Sequence, residues 1–598
     1  MSRMLSDNKT PAPFLRLEEV ASEHDPCDLD ANPQAIRAFV KAGLLPVFWD
    51  GSHALILSDD ACSIIPAVLD AGRHVDKYPL FELDGPKGQY MTLRLLLGDT
   101  RINLPTDSRD TDPTFYPALR NLLCAVESIG SEAVMTEVDM QYFLPTRIRT
   151  SSAAVYKYAS AQDRRARRVS ASKASQFASS AYYMGSKQAL AGFLVEAISS
   201  ALPQNGVVVD LMCGSGAAAG AFSKIWRTFA SDAQEFCRIL ALVQGAGFSV
   251  KKANVVLEFI LSIARSHAKD LMGKLEQFLA WEDAVFHGDI GPDLLLDYQR
   301  FISALPTYPE LRAVGSWRPS EEVEKRKADP TTYPYCLFTA YFANVYFGLR
   351  QCIEIDSLRY AIDQIKDRQV MDWALGALIA SLSKVGATYG GHFAQPLVRR
   401  IESLSMGRLS QILEKRAFSI FHEFSVRLLN LSDESEKSEF PVEIIDGPWP
   451  TALSVLDPLL SGEAVVVYLD APYTREEYSR FYHVLETAVL YSYPSAVGVG
   501  KIPDKRKGER FSSEFFTKSR NQITHSLVEV IESIVDKRWT CAWSYANTGK
   551  ANIVGVITEV CRKTGCAVRS YAVPYEHKPQ GGAISKKVTE YLIIFNPR

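Results

Sequence analysis

A chain of 598 residues with 66 basic and 69 acidic side chains carries a formal charge of −3, and 47% of it is hydrophobic. That length exceeds what one hydrophobic core needs and implies roughly three or four domains of a soluble globular protein. The balance excludes a globally basic nucleic-acid binder, although a neutral total can hide a local basic patch. The ten cysteines are scattered. They read as mostly reduced thiols, and Cys561 and Cys566 stand too isolated for a zinc ribbon. The N-terminus lacks the apolar core of a signal peptide. No run reaches the roughly 18–20 apolar residues of a membrane helix. The expectation is a cytoplasmic protein without membrane association.

Taken in order, residues 1–30 are polar and read as a flexible lead-in. Residues 31–146 read as an accessory α/β domain, with helices at 35–44 and 118–129 and strands at 53–58 and 90–97. Residues 147–180 follow as a basic linker or DNA-contacting arm. There Arg164, Arg165, Arg167 and Arg168 face little opposing charge beyond Asp163.

Residues 181–240 hold a helix-like segment, 188–200, then a turn at Pro203, Asn205 and Gly206. The apolar run Val207–Val209 ends in Asp210, and the chain turns on Gly214 and Gly216 before small helix-compatible residues. This strand, glycine loop and helix bring backbone N–H groups close to a bound cofactor. A second strand follows and ends at Ser231 and Asp232.

Residues 241–440 are mostly helical in pattern, with an irregular stretch at 282–335, and form an insert too long for a simple βαβ connection. Residues 441–598 return to alternating elements. Val442–Ile445 and Val465–Leu469 read as strands, 511–536 as mainly helix, Trp539–Ser544 as a strand and 551–561 as a helix. Val568–Val573 and Val588–Phe595 read as a closing strand pair.

The glycine loop alone is weak evidence. It is neither the dinucleotide Gly-x-Gly-x-x-Gly nor a Walker loop, which argues against a dinucleotide-dependent oxidoreductase. S-adenosylmethionine offers an ammonium, a carboxylate and a ribose diol instead of phosphate. Asp210 is placed to hold the ammonium side or to orient the loop, and Asp232 to accept from ribose hydroxyls. Asp470-Ala471-Pro472-Tyr473, at the end of the second apolar strand, combines a carboxylate, a backbone carbonyl and an aromatic ring. An amine on a planar base needs two acceptors and a stacking surface, and this corner can supply them without a metal or a covalent nucleophile.

The segment from Tyr183 through Gly185 to Lys187, the loop Asp210–Gly216, Asp232 and the Asp470–Tyr473 tetrapeptide occur in an order that resembles the D12 class of adenine-specific DNA N6-methyltransferases, the family of bacterial DNA adenine methylase. The resemblance covers about 180–240 and 440–598. It implies a Rossmann-like S-adenosylmethionine-dependent sheet, a helical target-recognition insert, and a flipped adenine in double-stranded DNA.

By position it implies that Tyr183, Gly185, Lys187, Asp210, Gly214, Gly216 and Asp232 bind the cofactor. It implies that Asp470, Pro472 and Tyr473 hold the target amine. The family usually has proline where Ala471 stands, which frees the backbone there but leaves the two acceptors and the ring. Around this site Arg475, Tyr478, Arg480 and His483 are candidate DNA neighbours, as are Lys505, Arg506 and Lys507 in the basic stretch that starts at Lys501. Restriction-modification or phage defence, with partner proteins of such a system, is implied by resemblance alone. Two alternatives stay open: methylation of RNA adenine or DNA cytosine N4, and a catalytically silent DNA-binding component.

Overall fold

The computed structural model describes residues 13–16, 46–50, 53–60, 81–84, 90–93, 100–103, 187–288, 290–389, 391–398, 400–472, 477–577 and 586–598. The helices expected at 35–44 and 118–129, and the basic arm at 147–180, lie outside the described residues.

The described N-terminal residues are β-rich. β1 (Phe14–Arg16), β2 (Phe48–Trp49) and β3 (Ala54–Leu57) form an antiparallel sheet in the order β1-β3-β2. β4 (Phe81–Asp84), β5 (Tyr90–Leu93) and β6 (Thr100–Asn103) form a meander. The first of these sheets packs onto the main one. Phe14, Phe48, Leu55 and Leu57 share a core with Val207 and Val467, and the Phe48 ring stacks on Tyr591.

The main sheet starts with β7 (Val207–Asp210), β8 (Arg227–Ser231), β9 (Val442–Ile445) and β10 (Val465–Leu469). A short hairpin of β11 (Ala496–Val497) and β12 (Ile502–Pro503) follows, and β13 (Thr540–Ala546), β14 (Ala567–His577) and β15 (Lys586–Asn596) complete it. The order is β14-β15-β13-β10-β7-β8-β9, and only β15 runs antiparallel to its neighbours. This is the Rossmann-like sheet of class I S-adenosylmethionine-dependent methyltransferases, as the resemblance implied.

The central strands are apolar on both sides because helices cover both faces. On one face Val208, Val466, Tyr468 and Ala542 pack against α1 (Ala191–Ser199) and α2 (Ala217–Phe222). The alternate residues Val207, Val209, Val465 and Val467 face the opposite core.

After β8 the chain forms α3 (Glu235–Leu242) and then a helical insert before β9. The insert comprises α4 (Val250–Lys274), α5 (Glu276–His287), α6 (Pro292–Ala304), α7 (Pro319–Ala328), α8 (Leu337–Tyr341), α9 (Leu349–Ile362), α10 (Arg368–Val385), α11 (Met406–Arg416) and α12 (Ile420–Ser435). The stretch read as irregular, 282–335, thus carries two further helices. Each opens on a proline, Pro292 or Pro319, whose fixed φ and missing N–H suit a first helical position.

After β10 come α14 (Tyr478–Phe481) and α15 (His483–Leu490), with α13 (Trp449–Leu459) preceding that strand. The last helices are α16 (Arg520–Val535) and α17 (Ile553–Thr564). Only the second part of the helix expected at 511–536 is helical. Ser519 caps α16 by accepting from the Gln522 N–H at 3.3 Å, which leaves 511–519 free to shape the site. Tyr482, Val484, Leu485 and Ala488 join the insert's core. Arg359 of α9 donates to the Ala488 carbonyl at 2.8 Å and the Val489 carbonyl at 3.0 Å, satisfying free acceptors at the end of α15.

Candidate active site

Parallel pairing aligns the carboxyl ends of β7 and β10, with Tyr468 opposite Asp210. Asp470 therefore emerges beside the glycine loop, at the strand ends where open α/β sheets place ligands. The loop is closed by backbone bonds: Leu211 N–H to the Tyr468 carbonyl at 3.1 Å, Cys213 N–H to Ser231 at 3.0 Å, and Gly216 N–H to Cys213 at 2.8 Å. Gly214 and Gly216 sit at φ 51° and 74°, where side chains are disfavoured. A Cβ on Gly216 would also stand 2.5 Å from the Ala241 Cα of α3.

The Asp210 carboxylate is buried and accepts the Ala219 N–H at 3.0 Å through Oδ2, so it orients the loop against α2. Its Oδ1 is buried without a hydrogen-bond partner among the described residues. Burial and the neighbouring Asp470 push its pKa well above the usual carboxylate value. Asp232, just past β8, accepts the Gly214 N–H at 3.1 Å and the Gln234 N–H at 3.0 Å. Lys187 lies buried at the start of the turn before α1. Its ammonium is 3.2 Å from Asp470 Oδ1 and 2.6 Å from Glu590 Oε1 of β15.

These residues line one cavity of about 350 Å³, within the size range of small-molecule sites. Lys187, Asp210, Gly214, Asp232, Asp470 and Pro472 lie on its walls, and Trp449, Tyr478, Phe511, Phe515 and Phe516 add an aromatic side. Trp449 Nε1 donates to Glu514 at 2.9 Å across the cleft. Ala471 is buried in the core beneath it.

The donor set fits S-adenosylmethionine. Four acidic side chains, Asp210, Asp232, Asp470 and Glu514, against one lysine suit a molecule bearing a sulfonium and an ammonium, Asp210 Oδ1 has no partner among the described residues, and the aromatic wall suits its base.

Tyr183, Gly185, Tyr473, Arg164, Arg165, Arg167, Arg168 and Arg475 lie outside the described residues. Arg480, Lys505, Arg506 and Lys507 are exposed. Lys505 and Arg510 converge on Glu477 at 2.7 and 2.9 Å, one residue before Tyr478 of the cavity wall. Lys507 donates to Ser495 at 2.8 Å.

Two candidate DNA neighbours turn inward instead. Lys501 bonds the Tyr308 carbonyl and the Thr307 hydroxyl of the insert. His483 is buried, lies 3.1 Å from the Phe393 carbonyl, and is held neutral by burial, with its pKa lowered to about 3.

The sequence reading gave no role to Glu590, Trp449, Glu514 or Glu486. The available signal for Glu590 was a single acid interrupting the apolar run at 588–595. Glu486 accepts the Glu235 and Phe236 N–H groups at 3.1 and 2.9 Å, capping α3 behind Asp232.

No family model and no curated protein matches the sequence. The class therefore rests on the sheet: the fold is that of a class I S-adenosylmethionine-dependent methyltransferase, and it supports methyl transfer from that cofactor as the general activity.

Proposed function

We propose that the chain is a site-specific DNA adenine-N6 methyltransferase that acts on a flipped adenine in double-stranded DNA. The observation that carries this reading is the position of Asp470 and Pro472 on the wall that also holds the glycine loop and Asp232. An acceptor corner and a cofactor corner then share one cavity. Bound S-adenosylmethionine supplies an electrophilic methyl group. Asp232 holds the ribose, the open Asp210 oxygen faces the cationic end, and the loop backbone fixes the cofactor.

Asp470 and the Pro472 carbonyl accept the two hydrogens of the target amine, and Tyr473 stacks on its ring. Holding the amine in line with the methyl group supplies much of the rate. Extruding the base costs unstacking energy, which phosphate contacts offset. The exposed Arg480, Lys505, Arg506 and Lys507 near the cleft, with Arg475 and the basic arm at 147–180, are suited to that task. The insert at 241–440 serves as the target-recognition module, in a restriction-modification or defence setting.

The test is transfer of labelled methyl from S-adenosylmethionine to mixed double-stranded DNA, with RNA in parallel, followed by nucleoside mass analysis. N6-methyladenine in DNA supports the reading. Methylated RNA or N4-methylcytosine replaces the substrate, and cofactor binding without transfer to any nucleic acid sinks the enzymatic reading.

A further inference from the structure

We propose that Glu590 is a positioning residue that clamps the Lys187 ammonium against Asp470, so that Asp470 presents an ionised oxygen to the acceptor amine. The proposal rests on the methyltransferase reading above and extends it to a residue and a lysine role outside cofactor binding.

Glu590 sits in β15, opposite Ala546 of β13 and Val573 of β14. It is 3% exposed and is followed by the apolar run Tyr591–Phe595. A carboxylate in such a strand is costly unless it is paired and hydrogen-bonded. Both conditions are met: Glu590 Oε1 takes the Lys187 ammonium at 2.6 Å and the Ser544 hydroxyl at 2.8 Å. The same ammonium reaches Asp470 Oδ1 at 3.2 Å. One cation thus bridges a structural carboxylate and the carboxylate at the reaction corner.

The arrangement answers an electrostatic difficulty. Asp470 lies close enough to Asp210 to raise that group's pKa, and clustered buried carboxylates resist joint ionisation. A protonated Asp470 would become a donor and lose half its value to an amine that needs acceptors. The ammonium, 3.2 Å from Oδ1, favours the charged carboxylate at Asp470.

As the amine nitrogen bonds the methyl carbon, the carbon–sulfur pair stays on sulfur as a neutral thioether. Positive charge then passes to the nitrogen, whose proton leaves to Asp470 and on to water. Glu590 supplies the second negative charge that holds the lysine in place. Burial pulls the Lys187 pKa down, but Asp470 and Glu590 outweigh it and the net shift is upward. Among the described residues, Asp210, Tyr468 and Tyr545 also carry electrostatic links to Asp470 or Glu590.

The test compares wild type with Glu590→Gln, which keeps the shape, and with Glu590→Asp. Methyl transfer to DNA is followed against pH, and Lys187 is followed by competitive labelling with an amine-reactive reagent, which needs no turnover. Glu590→Gln should lower kcat by up to about 100-fold, the scale of a misplaced reacting group. It should move the alkaline limb of the profile to lower pH and expose Lys187 to labelling at lower pH, with partial rescue in Glu590→Asp.

A purely structural role would lower rates at every pH and leave the limb in place. An unmoved limb with wild-type labelling overturns the proposal. Should Glu590→Gln fail to fold, Ser544→Ala removes one bond to Glu590 and keeps the charges. It should shift both readouts the same way by less, and no shift overturns the proposal. Wild-type protein that methylates no nucleic acid defeats the methyltransferase reading and this proposal together. Wild-type activity with unmoved variants defeats this proposal alone.

Discussion

The Asp232 carboxylate accepts the Gly214 N–H at 3.1 Å, tying the end of β8 to the glycine loop that leaves β7. It also accepts the Gln234 N–H at 3.0 Å. One acid therefore sets the loop and, in the proposed reading, meets the ribose. Asp232→Ala removes both acceptors, and an unsatisfied N–H costs about 1–3 kcal/mol. S-adenosylmethionine affinity should fall roughly 10- to 100-fold, since each 1.4 kcal/mol is about tenfold. Calorimetric titration checks this, and unchanged affinity sinks the assignment.

Asp470 should behave differently. Its carboxylate lines the cavity beside Pro472 and pairs with Lys187 at 3.2 Å. Asp470→Ala removes an acceptor that matters most as charge develops on the amine. The expected result is a fall in kcat of about 10²–10⁴-fold, the range of a lost proton-accepting group. Cofactor affinity should change far less. Pre-steady-state methyl transfer separates the two, and near-normal turnover would remove Asp470 from the reaction.

Much of this corner was legible in the sequence. Val207–Val209 and Val465–Val467 are apolar on alternate sides because both faces of a parallel sheet are covered, and each run stops at the acid-bearing end. Gly214 and Gly216 marked the turn because φ there is positive. Pairs distant in sequence were not legible. Lys187 and Glu590 lie 403 residues apart, and Glu486 and Phe236 are 250 apart. No local pattern encodes such pairs, which depend on the strand order and on how the insert docks. The loop at 511–519 is the non-helical part of the segment read as mainly helix, and its rings at Phe511, Phe515 and Phe516 line the cavity.

Gly216 has two constraints at once: φ at 74° and a backbone contact that leaves 2.5 Å between an added Cβ and the Ala241 Cα. Neither relaxes by moving a side chain, since Ala241 N and the Leu240 carbonyl are also within 3 Å. Gly216→Ala should cost about 2–4 kcal/mol, combining left-handed strain with overpacking. Urea unfolding reads the loss directly. A midpoint equal to wild type would mean that α3 shifts freely, contrary to its cap by Glu486.

That cap carries a pH signature. Burial pushes the Glu486 carboxyl up to about 7 while the Phe236 N–H pulls it down, and nearby Asp232 adds to the rise. Between the ordinary glutamate value and about 7 the folded state holds a proton that the unfolded chain releases. The unfolded state binds fewer protons there, so this group's contribution to stability falls as pH rises through the window, by up to about 1.4 kcal/mol per pH unit. Above the folded value the slope vanishes and the full ionisation cost is present. Glu486→Gln removes the titration and keeps one acceptor for the α3 N–H groups. Its unfolding free energy should decline less steeply than wild type between pH 5 and about 7. Parallel slopes in the two proteins would show that Glu486 stays ionised in the folded state.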